Sequence, residues 1–123
     1  MRRLSFFLAL LLAAPALFAQ PERFFPVSVW YGGGKARAPM LESGARSKKE
    51  LWRQDVRKIK SLGFNTLRCW IDWATGEPRP GQYNFDTLDV LLALAEEEGL
   101  RVFVQVYMDS APPWVGRQYP DSL

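Results

Sequence analysis

Proton-transfer chemistry in this 123-residue chain falls to carboxylates, because the sequence contains no histidine and a single cysteine, Cys69. Without histidine, a Ser/His or Cys/His pair and most zinc sites are excluded. Cys69 reads as a small buried apolar residue rather than a nucleophile, and alone it can form no disulfide within the chain. Two aspartates stand out by position. Asp72 and Asp109 each lie just beyond a run of branched and aromatic residues, NTLRCWI at 65–71 and RVFVQVY at 101–107. If the runs are neighbouring strands, about 4.8 Å apart, the two carboxylates approach the roughly 5 to 5.5 Å at which one can attack a carbon while the other moves a proton. The competing reading, a helix cap or an ion-pair partner, is the commoner use of Asp at a strand end and is favoured for this pair.

Around these aspartates the same strand ends collect Trp30, Tyr31, Arg68, Trp70, Trp73, Tyr107, Ser110 and Trp114. Rings, carboxylates and a guanidinium on one rim suit a sugar, since rings cover the apolar face of a pyranose and charged groups bind its hydroxyls. Trp73 and Trp114 fall on loops and are divided evenly between lining a cleft and packing. Trp52, on a helix face, and Trp70, inside a strand, read as core. The run Glu96-Glu97-Glu98 reads as a solvated helix end without function. Gly32-Gly33-Gly34-Lys35 lacks the spacing and the following helix of a phosphate loop.

The elements that must position these groups follow from periodicity. Residues 25–31 (FPVSVWY) have strand composition, with Pro26 at the start where a missing N–H is tolerated. A long glycine-led loop then runs to Arg46, of a length more often functional than accidental. Ser47 and Glu50 fit a capping box, and Leu51, Trp52, Val56, Ile59 and Leu62 fall at helical spacing up to Gly63. After the strand at 65–71, Asp86 can cap a second helix, 87–98, ending at Gly99 before the strand at 101–107. Two helix–glycine–strand units in succession imply a parallel sheet with right-handed crossovers. A (β/α)8 barrel and an open doubly wound sheet both fit, and the barrel is favoured because no glycine-rich turn leads straight into a helix. A barrel takes about 250 residues, so three strands and two helices are expected to be part of one, with unpaired sheet edges.

Residues 1–19 read as a cleaved secretory signal: Arg2 and Arg3 precede an almost wholly apolar run from Leu4 to Phe18, and Ala19 is the expected cleavage point. The run is short for a membrane anchor, which needs about 20 apolar residues, and Pro15 interrupts it. With no cysteine near the cleavage region a lipoprotein is not expected. Removing the signal lowers the formal charge from +3 to +1, and the remaining charges alternate in sign instead of clustering as a nucleic-acid surface requires. The reading is therefore a secreted or periplasmic chain, with 20–123 as the N-terminal fragment of a barrel domain, no nucleic-acid partner, no membrane partner after cleavage, and no indicated metal or cofactor.

Several segments together resemble the opening of family 42 glycoside hydrolases, the β-galactosidases. They are Trp52-Arg53-Gln54-Asp55 with Ile59, Gly63-Phe64-Asn65, Leu67-Arg68, Trp73, Glu77-Pro78, Gly81-Gln82-Tyr83-Asn84-Phe85 and Leu88-Asp89, then Ala111-Pro112-Pro113-Trp114 with Tyr119-Pro120. The resemblance runs from about Phe25 to Leu123, and its last segment is the most specific. It implies a barrel glycosidase that retains anomeric configuration, with two catalytic glutamates at later strands, outside this sequence. It also implies that Arg68 contacts the sugar, a guanidinium offering several donors in a fixed fork; the alternative for Arg68 is an interior salt bridge. Two places depart from the family's pattern: the loop from Gly32 to Arg46 is longer, and the interval from Arg68 to Trp73 is one residue shorter, with Asp72 where a small residue is usual. The resemblance thus implies a carbohydrate substrate, a β-galactoside or another β-linked sugar, contacted by Arg68; the strand-end reading adds Asp72, Trp73, Asp109 and Trp114 as substrate-binding residues. The alternative is a non-catalytic exported carbohydrate-binding or interaction module.

Overall fold

The computed structural model describes residues 23–34, 41–107 and 110–122. The signal reading at 1–19 and Asp109 lie outside them. Three parallel strands, β1 (Ser28–Trp30), β2 (Thr66–Asp72) and β3 (Arg101–Tyr107), form one sheet in the order β1-β2-β3. Helix α1 (Lys49–Ser61) connects the first two strands and α3 (Asp86–Glu97) the second and third. Two short helices, α2 (Trp73–Gly76) and α4 (Pro113–Gln118), follow β2 and β3 directly. This is the α/β arrangement expected of an arc of a (β/α)8 barrel.

Alternation along β2 makes the sheet two-sided. Leu67 and Cys69 are fully buried against Trp52 and Val56 of α1 and Leu91, Leu94 and Ala95 of α3. Each such buried aliphatic side chain contributes about 1.5 to 3 kcal/mol. Arg68 and Trp70 point to the other, concave face. Between the helices, Arg53 bonds Glu97 (3.0 Å) and Arg57 bonds Glu98 (2.8 Å), while Arg46 grips Asp86 through two nitrogens (2.7 and 3.2 Å). The acidic run is therefore more than a solvated end: two of its glutamates clasp α3 to α1.

Several local expectations change. The apolar stripe of α1 narrows to Trp52, Val56 and the partly buried Ile59, while Leu51 and Leu62 are each 62% exposed. At 100° per residue those two leucines fall roughly 80 to 100° from the stripe. The capping box does not form. Ser47 donates to the Gly44 carbonyl instead (2.9 Å), a 3-10 turn (Ala45–Lys48) leads into α1, and Glu50 pairs with Arg53. Nor does Asp86 cap α3: it is the helix's first residue, its carboxylate holds Arg46, and the Asn84 side chain accepts its N–H (3.1 Å). Strand β1 is shorter than expected because the Asn65 amide takes over the ladder upstream, accepting from Val27 N and donating to Phe25 O at 2.8 Å each.

The start of the long loop packs back onto α1. Gly33 (φ 100°) and Gly34 (φ 84°) adopt backbone angles that side chains resist, and a Cβ at Gly33 would stand 2.7 Å from the Trp52 indole. Tyr31 closes the same corner by donating to Asp55 (2.9 Å), and its burial pushes the phenol well above its ordinary range. Where β1 stops, Leu41 N continues the ladder on Trp70 O (3.0 Å).

Burial pushes the Cys69 thiol up to about 11, so little thiolate exists at neutral pH. A disulfide reagent such as DTNB is expected to leave the native chain unmodified at pH 7.5 and to titrate one thiol per chain in guanidinium. Fast labelling of the native chain would mean that α1 and α3 do not cover β2.

Candidate functional site

Two groups of chemistry-bearing side chains lie at different heights along the sheet and line different clefts. The first is on the concave face. Arg68 is the third residue of β2, below the strand end, and its register partners are Trp30 on β1 and Phe103 on β3. Its guanidinium carbon sits 4.1 Å from the Trp30 ring centroid, within cation–π range. Its Nη2 donates to Gln105 Oε1 (2.9 Å), and Trp70 Nε1 donates to the same oxygen (2.8 Å). Trp30 and Trp70 meet edge to face at 4.7 Å. A cleft of about 390 Å³ opens here, lined by Ser28, Arg68, Phe103, Val104 and Gln105. Among the described residues no carboxylate pairs with Arg68, so the interior salt bridge considered for it is not formed within them.

The second group is at the strand ends. Asp72 caps α2, its Oδ2 accepting from Thr75 N (3.2 Å). That is the capping role weighed for it, and its supposed partner Asp109 lies outside the described residues. Trp73 and Trp114, from the segments after β2 and β3, are brought together edge to face at 5.8 Å. Both indoles serve Glu77: Trp73 Nε1 donates to Oε2 (2.8 Å) and Trp114 Nε1 to the backbone carbonyl (3.0 Å), while Gly81 N donates to Oε1 (2.8 Å). The Trp73 hydrogen bond, then that of Gly81, holds the Glu77 carboxyl below its ordinary range. A second cleft, of about 320 Å³, is lined by Ile71, Asp72, Trp73, Glu77, Tyr83, Phe85 and Val106, among others. Ile71 and Val106 alternate with Trp70 and Gln105, so this cleft opens toward the helix side.

The structure thus joins Trp73 with Trp114 and sets Asp72 beside them at the strand ends, but leaves Arg68 four residues lower on β2, lining a separate cleft. Trp70 is corrected from core to half-buried residue of the concave face, because alternation puts it on the side that no helix covers. Sequence reasoning missed Gln105 and Glu77 as site residues. The signal for Gln105 was a lone amide inside an apolar strand, which needs a polar partner; for Glu77 it was the turn Pro78 to Gly81, which returns a backbone N–H to the carboxylate.

With this geometry in view, comparison with known proteins is direct. The family model described as β-galactosidase, glycoside hydrolase family 42, matches residues 44–123. The chain belongs to that family. Among curated relatives, the β-galactosidase BgaA of Planococcus sp. (strain 'SOS Orange') is 31% identical over 97 residues, 77% of this chain and 13% of the relative. The β-galactosidase BbgII of Bifidobacterium bifidum is 30% identical over 105 residues, 85% of this chain and 14% of the relative. Among solved structures, the β-galactosidase of Rahnella sp. R3 aligns with TM-score 0.53 and 29% identity, covering 63% of this chain and 12% of that one. The chain therefore spans about an eighth of the length of these family 42 relatives. The matched segment starts at Gly44, so β1 and most of the loop from Gly32 to Arg46 lie outside it.

The rim of this family 42 segment depends on an ionised Glu77, giving a pH signature. The Glu77 pKa is depressed in the folded chain, so its stabilisation is present above the unfolded value of about 4.3 and is lost as pH falls through the lower folded value. Asp86, held by Arg46, and Glu97, held by Arg53, shift in the same direction. The unfolding temperature should fall below about pH 4, and Glu77→Gln should make that fall shallower. Identical profiles for the two proteins would refute the role given to Glu77.

Proposed function

We propose that this chain forms part of the substrate cleft of an exported retaining β-glycosidase acting on β-galactosides or related β-linked sugars. The acid/base and nucleophile in this reading are two glutamates outside these 123 residues. One protonates the leaving oxygen as the glycosidic bond breaks, and the other bonds to the anomeric carbon until water displaces it. The observation that carries the reading is Arg68: a cation without a carboxylate partner among the described residues, held against Trp30 over the concave cleft. Its remaining N–H groups suit sugar hydroxyls, and Trp30, 41% exposed, offers an aromatic surface beside them. Family membership supports the same substrate class. The catalytic pair Asp72 and Asp109 is not part of the proposal, since Asp72 is engaged as a cap.

Binding is measurable through tryptophan fluorescence, because Trp30 adjoins Arg68. Galactose should change the emission of the 123-residue chain in a saturable way, Arg68→Met should weaken the response about tenfold or more, and Trp73→Phe should leave it unchanged. A response that survives Arg68→Met would contradict the assignment.

Export is proposed from Arg2, Arg3 and the apolar run after them. Among the described residues, no helix is long and apolar enough to cross a membrane. Expression in a bacterial host followed by N-terminal sequencing of the exported fraction should give a chain beginning at Gln20. Retention of Met1 in a cytoplasmic product would rule export out.

A further inference from the structure

Gln105 is a neutral polar side chain on the concave face, and two donors converge on its amide oxygen. Trp70 is its register partner and Arg68 lies two pairs further down, on the same side of β2. An indole N–H and a guanidinium are donors only, so the atom they share must be the amide oxygen, at 2.8 and 2.9 Å. Both lone pairs of that oxygen are then used, and the amide nitrogen is turned away from them. A carboxylate at this position would hold the same two donors but would neutralise Arg68. A leucine would fill similar space and hold neither.

We propose that Gln105 is the positioning residue for Arg68: it fixes the guanidinium against Trp30, facing the cleft, without neutralising its charge. The inference rests on the sugar-binding reading of Arg68 and deepens it by saying what sets the arginine's geometry before substrate arrives. Trp30 confines the guanidinium from one side at 4.1 Å, and the Gln105 oxygen confines it along the strand. The side-chain freedom that a sugar would otherwise have to freeze out is thereby removed in the free protein. Trp70 completes the device, because its N–H holds the amide oxygen in the orientation that Arg68 needs.

The test is the ¹⁵N–¹H spectrum of the 123-residue chain. Its indole region carries one signal for each of five tryptophans, with Trp70 assigned through Trp70→Phe and the Arg68 Nε–H through Arg68→Lys. Gln105→Leu should move both the Trp70 indole and the Arg68 Nε–H signals, and should weaken galactose binding roughly fivefold to tenfold. Gln105→Glu, which keeps the acceptor, should preserve the hydrogen-bonded Trp70 signal yet still weaken binding, because it turns Arg68 into an ion pair. The same dispersed signals elsewhere establish that each variant is folded, and the glutamate variant carries the test if the leucine variant is not. Unchanged Trp70 and Arg68 signals in folded Gln105→Leu, or unchanged galactose affinity in both variants, would overturn the proposal. If galactose moves no signal in the unsubstituted chain, the sugar reading of the cleft fails, and the indole and guanidinium shifts still decide whether Gln105 positions Arg68.

Discussion

Strand β2 is the constraint on which everything else rests, because each of its residues must face either the helices or the cleft. Leu67 and Cys69 are buried between α1 and α3, and that packing leaves Arg68 and Trp70 no direction but the concave face. Parallel in-register pairing with β1 and β3 then brings Trp30 and Gln105 to them. A slip of one residue would exchange the two sets, burying a guanidinium among leucines at a cost that no ion pair there would offset. The core and the site are thus two outcomes of a single register.

The surroundings divide into paired and unpaired surfaces. Between α1 and α3 the chain is clasped by Arg53 with Glu97 and Arg57 with Glu98, contacts open to solvent and individually weak. The flanks differ. On the side of α1 away from this clasp Leu51 and Leu62 are exposed, and on β3 Phe103, Val104 and Val106 are exposed. An arc of a barrel leaves apolar groups open at such places, where neighbouring strands and helices of a closed cylinder would pack. The same geometry explains why the concave cleft is broad and open.

Much of this was legible in the sequence. Strand and helix types followed from glycine stops at Gly63 and Gly99 and from the 3.6- and two-residue periods, and the parallel order followed from their alternation. Cys69 and Trp52 are buried as their positions suggested, and Asp72 is a cap. What remained hidden depends on neighbours distant in the chain. Trp70 reads as core until one knows which face the helices leave open. Asp86 reads as a cap until Arg46 is seen to claim its carboxylate. Gln105 gains meaning only when Arg68 and Trp70, more than thirty residues away, converge on its oxygen. The division of the expected site residues between two clefts was likewise invisible, since it requires knowing that Arg68 lies mid-strand and Trp73 beyond the strand end.

On the proposed reading, sugar binds at the concave surface, beside Arg68 and Trp30. A crystal structure of the chain grown with galactose tests it directly. Density for a pyranose ring beside Trp30, with a hydroxyl within about 3 Å of the Arg68 guanidinium, is the expected result. A ring seated instead between Trp73 and Tyr83, on the helix side of the sheet, would contradict it.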